Sequence, residues 1–318
     1  MRAEGKQTHR RFTATSIRLS SLAMTPRPFP SPCPARKAAL RTAPVAACLA
    51  AALALAGCST VLEHGGLAPE APYSASPANI ASLTDVIQSQ PNDPQAYNMR
   101  GTVLASSGRR KEALIDFNKA VQLDPKYAEA YANRGLVHRQ DGQPDLAIKD
   151  YDAAIRIDPN YATAYLGRGL AWRDKKQPLK ALEDINRAIA IKPDNAQAYY
   201  NRGLLYQGSA QHQFAIDDFS TAATLAPREA DPYLARALSY IAAGDLKAAA
   251  SDLDNAVQLD EQNFAAWTSR GLAYERMGDK QKAAGSYAKA LNIQQNYAPA
   301  ADGFRRVGGE YGKTYQAF

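Results

Sequence analysis

An all-α solenoid of antiparallel helix pairs is the fold class this sequence predicts, and three periodic observations predict it. An aromatic residue recurs every 34 residues, as Tyr97, Tyr131, Tyr165, Tyr199, Tyr233 and Trp267. A small residue follows each by four positions: Gly101, Gly135, Gly169, Gly203, Ala237 and Gly271. Ala113, Ala147, Ala181, Ala215, Ala249 and Ala283 keep the same period, with Ala120, Ala154, Ala188, Ala222, Ala256 and Ala290 seven positions later. A period of this length marks a solenoid, in which each unit buries its apolar face only against its neighbours. Such a stack offers a long surface and no deep cleft, which points to binding and away from catalysis.

The chain opens with a segment of another kind. Arg36, Lys37 and Arg41 precede an apolar, alanine-rich run over residues 43–55, too short to span a bilayer, which ends in Leu55-Ala56-Gly57-Cys58. A basic stretch, a short apolar stretch and small residues at a break make an export signal over residues 1–57. That is long for such a signal. Met24 is an alternative start that leaves a leader of ordinary length, with residues 1–23 upstream of it. The ending resembles a bacterial lipobox, which implies cleavage before Cys58 and a lipid on its thiol. The alternatives are an ordinary cleaved signal and an uncleaved anchor. Residues 59–78 follow as a tether, with Pro69, Pro72 and Pro77 as breakers and no apolar period. As a flexible coil it would reach about 25 Å.

The repeats come next. Residues 79–90 read as one helix, with Ile80, Leu83, Val86 and Ile87 at helical spacing and Pro91 as its stop. Pro91 lies one period before Pro125, so residues 79–93 form a capping half-repeat. Six full units follow, 94–127, 128–161, 162–195, 196–229, 230–263 and 264–297. Each first helix carries its aromatic, its small residue and then a large one (Leu104, His138, Trp172, Tyr206, Tyr240, Tyr274) on a single face. Each second helix repeats the spacing with Ala, a bulky residue (Phe117, Tyr151, Ile185, Phe219, Leu253, Tyr287) and Ala. Gly108, Gly142, Gly244 and Gly278 suit left-handed helix ends between the two helices, where Lys176 and Ala210 stand in the third and fourth units. Pro125, Pro159, Pro193 and Pro227 end second helices. Glu261 and Gln295 replace them at the last two junctions, which are therefore expected to turn differently. Residues 298–307 read as a closing helix with Phe304 facing back, and 310–318 as a loose tail.

This series of aromatic, Gly, Ala, bulky residue, Ala and Pro resembles the tetratricopeptide repeat over residues 94–297. The resemblance implies a right-handed superhelix whose first helices line a concave groove. It also implies that positions 2, 5, 6, 9, 12 and 13 of each unit point into that groove. On that mapping the groove offers Asn98, Asn133, Leu136, Arg139, Leu170, Arg173, Tyr200, Asn201, Leu204 and Gln207. Asparagine can bind a peptide backbone, leucine and tyrosine anchor apolar groups, and arginine favours acidic ones, so the expected ligand is a peptide segment. Some relatives grip a C-terminal carboxylate with lysines at position 2 or 5. Position 2 is here Gln95, Glu129, Thr163, Gln197, Asp231 and Ala265, so that clamp is absent.

A second series runs alongside. Arg100, Arg134, Arg168, Arg202, Arg236 and Arg270 precede the small residues, and sixteen positions later stand Asp116, Asp150, Asp184, Asp218 and Asp252, with Ser286 in the sixth unit. The co-occurrence reads as a ladder of bidentate Arg–Asp pairs between helices. Arg270 alone lacks an acid at that offset.

Composition supplies the exclusions. The chain is net +7, but residues 1–57 hold nine Lys/Arg and one acid, leaving 29 basic and 30 acidic residues. Nothing in that balance calls for nucleic acid. The three cysteines are Cys33, Cys48 and Cys58, and the last would carry lipid, so no thiol is expected at a disulfide or a metal. His64, His138 and His212 are far apart, and no phosphate loop or nucleophile elbow occurs. The expectation is a non-enzyme with no metal and no cofactor. Lipid, tether and repeats together resemble the outer-membrane tetratricopeptide lipoprotein adaptors. That implies an adaptor anchored in the outer membrane and facing the periplasm. Its partners would be envelope proteins such as a periplasmic protease or cell-wall hydrolases. Ser59 after the modified cysteine is compatible with outer-membrane sorting. The alternative is an assembly subunit of a secretion, pilus or barrel-insertion machine. Residues 295–318 are a candidate homodimer surface.

Overall fold

The computed structural model describes residues 76–310, 312, 313 and 315. The leader, Cys58 and most of the tether lie outside the described residues. Among those residues fourteen α-helices follow one another without a strand. Helix α1 (Pro77–Ser89) comes first. Six pairs follow: α2 (Pro94–Ser106) with α3 (Arg110–Leu123), α4 (Ala128–Gln140) with α5 (Pro144–Ile157), and α6 (Ala162–Asp174) with α7 (Pro178–Ile191). Then come α8 (Ala196–Gly208) with α9 (His212–Leu225), α10 (Ala230–Ala243) with α11 (Leu246–Leu259), and α12 (Phe264–Met277) with α13 (Lys280–Ile293). Helix α14 (Ala298–Arg306) closes the stack. Every helix packs on the one before and the one after, and successive first helices also touch.

Local chemistry sets the helix ends. Pro77 begins α1 rather than ending the tether. Its ring presets the first helical φ and needs no donor, while the Ser76 hydroxyl accepts from the Asn79 N–H at 3.2 Å. Pro94, Pro144 and Pro178 open α2, α5 and α7 in the same way. The six turns inside the repeats are alike. In each, an N–H returns to a carbonyl five residues back, as in Arg109 to Leu104 at 2.8 Å and Gln177 to Trp172 at 2.9 Å. That closure needs a left-handed residue. Gly142 supplies it at φ 70°, and Lys176 and Ala210 adopt it at 57° and 56° despite their Cβ atoms. The expectation that the last two junctions turn differently is overturned. The Asn263 N–H reaches the Asp260 carbonyl at 3.2 Å and Tyr297 reaches Gln294 at 3.2 Å, as Tyr127 reaches Asp124 at 3.1 Å over Pro125. Proline presets the second position of such a turn, but most residues fit there.

A row of large side chains runs through the core. Phe117, Tyr151, Ile185, Phe219, Leu253 and Tyr287 are at most 2% exposed. The small residues make room for them: a Cβ on Gly203 would lie 2.6 Å from the Phe219 ring. Where the fifth unit carries Ala237, its partner is the slimmer Leu253. Gly167 and Gly303, which share one position of the 34-residue register, admit Tyr151 and Tyr287 from the preceding helix, where a Cβ would come within 2.4 and 2.3 Å. Each of these tyrosines therefore wedges between units. At the C-terminal end Phe304 is buried on α14. The segment expected to be a loose tail folds back in part, because Tyr315 packs edge-on against Phe304 at 5.5 Å and accepts the Glu310 N–H at 2.7 Å.

Candidate functional site

The ladder arginines sit on the first helices, each under the aromatic ring three residues earlier, at 5.3 to 6.0 Å from its centre. Both ends of each guanidinium are used. Arg202 donates Nε and Nη2 to Asp218 at 2.8 and 2.7 Å, and Nη1 to Asn186 at 2.7 Å. Arg100, Arg134, Arg168 and Arg236 repeat the bidentate pair with Asp116, Asp150, Asp184 and Asp252. The carboxylates are buried. The hydrogen bonds the arginines donate to these carboxylates raise them above their ordinary value against the cost of burial.

The second arm was not foreseen. It reaches sixteen residues back, to the second helix of the preceding repeat: Thr84, Asn118, Asp152, Asn186, Ser220 and Asp254. These share the 34-residue period, and the signal lay in that register. It was hidden because the six share only an acceptor oxygen and no charge. The arm also accounts for Arg270, which donates to Asp254 at 2.6 Å and to Ser286 at 2.7 Å. The charged and neutral acceptors have exchanged sides, so Arg270 is a buried member of the ladder.

The ten groove positions lie on α2, α4, α6 and α8, on the helices that follow one another along the stack. They divide into two groups. Asn98 is 1% exposed, donates to the Tyr127 hydroxyl at 3.0 Å and Glu129 at 3.1 Å, and accepts from Asn133 at 3.0 Å. Leu170 is buried with Leu166, Ala198 and Leu205. Gln207 donates to the Ala235 carbonyl and the Ser239 hydroxyl at 3.0 and 2.9 Å. These side chains join successive repeats. Leu136, Arg139, Arg173, Tyr200 and Leu204 keep partly accessible surface.

The two arginines form the electrostatic centre of that face. Arg139 Nη1 donates to Asp174 at 3.2 Å, Arg173 Nη2 lies 3.8 Å from the same carboxylate, and Arg173 Nη1 donates to Asn201 at 2.7 Å. Asn201 in turn is fixed by its bond to the Gln197 carbonyl at 2.7 Å. Two guanidinium groups thus share one carboxylate. Burial pulls Arg173 below its ordinary value, and Arg139 pushes the same way against Asp174. The Arg139 Nε is buried with no hydrogen-bond partner. An acidic group placed here would complete the charge balance. His138 lies apart from this cluster, half-buried with Nδ1 at 2.9 Å from Gln143. Among the described residues no three His, Cys, Asp or Glu converge as a metal site, and no helix is long and apolar enough to cross a membrane.

Tetratricopeptide repeat models match residues 128–161, 196–229 and 264–297, and a TPR repeat model matches residues 101–142, 173–209 and 237–278, together more than half of the chain. No curated protein matches by sequence. Among solved structures, a chain of the APC/C hetero-tetramer Cut9–Hcn1 is 20% identical with a TM-score of 0.63, covering 71% of this chain and 45% of its own. The present chain therefore spans under half of that relative. PilF of Pseudomonas aeruginosa is 19% identical with a TM-score of 0.60, covering 66% of this chain and 95% of PilF. A tetratricopeptide repeat protein of Parabacteroides merdae is 21% identical with a TM-score of 0.51, covering 72% and 90%. At these identities the likeness is one of fold.

Proposed function

The chain belongs to the tetratricopeptide repeat family of protein-binding scaffolds, and on that premise we propose that it is a non-enzymatic adaptor of the bacterial envelope. Cys58 carries its lipid anchor, and the repeats take peptide segments of partner proteins on the face of the first helices. The observation that carries the binding reading is the pair Arg139 and Arg173 sharing Asp174, two guanidinium groups against one carboxylate. Leu136, Tyr200 and Leu204 flank that pair with apolar surface, so the fitting segment has an acidic side chain between apolar ones. The anchoring part rests on the basic, apolar and Leu-Ala-Gly-Cys succession before Cys58.

Affinity purification from crosslinked envelopes tests this reading, comparing the natural chain with an Arg139→Ala/Arg173→Ala variant whose melting is followed in parallel. The adaptor reading expects a protease, a cell-wall hydrolase or another envelope protein that the folded variant no longer retains. Recovery of one stoichiometric assembly that survives the substitutions would instead favour a subunit of a secretion or pilus machine, held by another face. Mass analysis of the mature N-terminus tests the anchor separately, since an unmodified Cys58 removes that part and leaves the groove untouched.

A further inference from the structure

Large exposed apolar side chains dot this stack, among them Ile115 at 67% within α3 and Leu225 and Leu259 at 40% and 41% at the far ends of second helices, and one edge carries three in successive repeats. Leu179 is 81% exposed, Phe214 60% and Leu146 42%. Each lies in the first turn of a second helix, α7, α9 and α5 respectively, so three successive repeats present one at the same edge. Leu146 and Phe214 hold the same repeat position, and Leu179 stands one residue before it beside Lys180, so the three mark one edge of the stack rather than one helix face. Half-buried aromatic rings widen it. The Trp172 ring lies under the Lys180 ammonium at 4.3 Å and the Lys175 ammonium at 5.8 Å, and Tyr206 leans on Phe214 at 5.4 Å. The central turn reads Lys175-Lys176-Gln177-Pro178-Leu179-Lys180.

Charge separates this edge from the opposite one. The six turns inside the repeats (107–112, 141–146, 175–180, 209–214, 243–248 and 277–282) carry nine Lys/Arg and five Asp/Glu. The six turns between repeats (124–129, 158–163, 192–197, 226–231, 260–265 and 294–299) carry three and eight. Part of the basic excess is already paired, Arg109 with Glu112, Arg110 with Asp141 and Lys175 with Asp145. Of the remainder, Lys176 and Lys180 lie in the Leu179 turn itself, while Lys111, Lys247, Lys280 and Lys282 belong to the first, fifth and sixth repeats.

We propose that this turn edge, centred on Leu179, docks on an anionic phospholipid surface. The combination is that of an interfacial site: projecting apolar side chains, amphipathic tryptophan and tyrosine, and lysines beside them. The side chains stand out from the edge and line no groove, and a yielding bilayer accommodates such wedges where a rigid partner would need matching pockets. A nucleic acid would use the lysines and leave Leu179 and Phe214 in water. The surface adjoins Arg139 and Arg173, which end α4 and α6, but uses different side chains, and the proposal does not rest on the lipid at Cys58. Docking by this edge would set the stack against the membrane with its acidic turns directed away.

The test is vesicle flotation of the full chain on phosphatidylglycerol/phosphatidylethanolamine vesicles and on phosphatidylcholine vesicles. Three forms are compared: natural, Leu179→Ser/Phe214→Ser, and Lys176→Gln/Lys180→Gln. Leu225→Ser/Leu259→Ser, at the opposite ends of second helices, serves as control. The leader, with nine Lys/Arg and an apolar run, gives every form the same background binding, so partition is compared at vesicle concentrations far from saturation. The expected result is preference for the anionic vesicles, a loss of about fivefold in partition for each lysine removed, a comparable or larger loss for the apolar pair, and no change in the control. Circular dichroism melts show whether each variant is folded. A natural chain that does not prefer anionic vesicles overturns the proposal, as does a folded turn-edge variant that partitions like the natural chain. Loss of crosslinking to a protein partner with vesicle binding intact would assign the edge to protein and also overturn it.

Discussion

Each ladder arginine is held from two sides, and the sides are not equally charged from repeat to repeat. Arg168 has a second carboxylate in Asp152, whereas Arg202 has only the neutral Asn186. Removing one partner of a buried pair leaves the other charge uncompensated. Asp218→Ala should therefore cost somewhat less than the roughly 3–5 kcal/mol of a fully buried pair, because the Arg202 side chain keeps some solvent contact, and Asp184→Ala visibly less again, because Arg168 retains Asp152. Thermal unfolding of the two variants side by side checks the order, and equal losses would mean that the second arm carries no weight. Lys176 and Ala210 hold left-handed conformations that cost a non-glycine residue about 1 kcal/mol. Lys176→Gly and Ala210→Gly should each raise the denaturant midpoint, whereas Gly142→Ala should lower it. The five bidentate partners were legible because Arg and Asp recur together at a fixed offset. The sixth arginine's partner was not, because its acid lies in the other register. Burial of Asn98 and Leu170 was likewise hidden, because a position number tells which face a side chain is on but not whether the next repeat covers it.

Helix against helix, packing is decided by matched volumes. Gly203 faces Phe219 where Ala237 faces Leu253, so an added methyl at Gly203 should be tolerated only with a smaller partner. Gly203→Ala alone is expected to lose about 1–3 kcal/mol to overpacking, and adding Phe219→Leu should recover part of it. A double-mutant cycle with no coupling would contradict this pairing. The terminal helix depends on a polar latch. Burial would push the Glu275 carboxyl up, but bonds from Arg306 at 2.8 Å and the Tyr287 hydroxyl at 2.6 Å hold it below its ordinary value. A depressed carboxyl contributes stability above its unfolded value, and that contribution is lost as pH falls through the folded one. Helix α14 should loosen below about pH 4, seen as shifts of the Gly303 and Phe304 amide signals between pH 5 and pH 3. Glu275→Gln should abolish that pH dependence. Helix number, order and pairing were readable from periodicity alone. The start at Pro77, the ordinary turns over Glu261 and Gln295 and the return of Tyr315 were not. They depend on which backbone N–H finds an acceptor, and residue type only biases that choice.

Across the whole molecule, stability is a sum of near-neighbour terms. The ladder and the wedged tyrosines supply those terms along the body of the stack. This leaves the first-helix face available for recognition, and two edges of opposite charge. The family was readable from the repeat, but the partner was not, because such a fold serves unrelated ligands and function resides in particular side chains. The central claim is that those side chains are Arg139, Arg173 and their apolar neighbours on the groove face. The most direct measurement is site-specific photocrosslinking in native cells, with the reactive residue placed at Leu136 or Leu204 in the groove and at Lys149 or Glu183 on the outer face of the second helices. The account predicts one or more partner proteins crosslinked from the two groove positions, lost on Arg139→Ala/Arg173→Ala, and none from the outer pair. Crosslinks confined to Lys149 and Glu183, or groove crosslinks indifferent to the arginines, would contradict it.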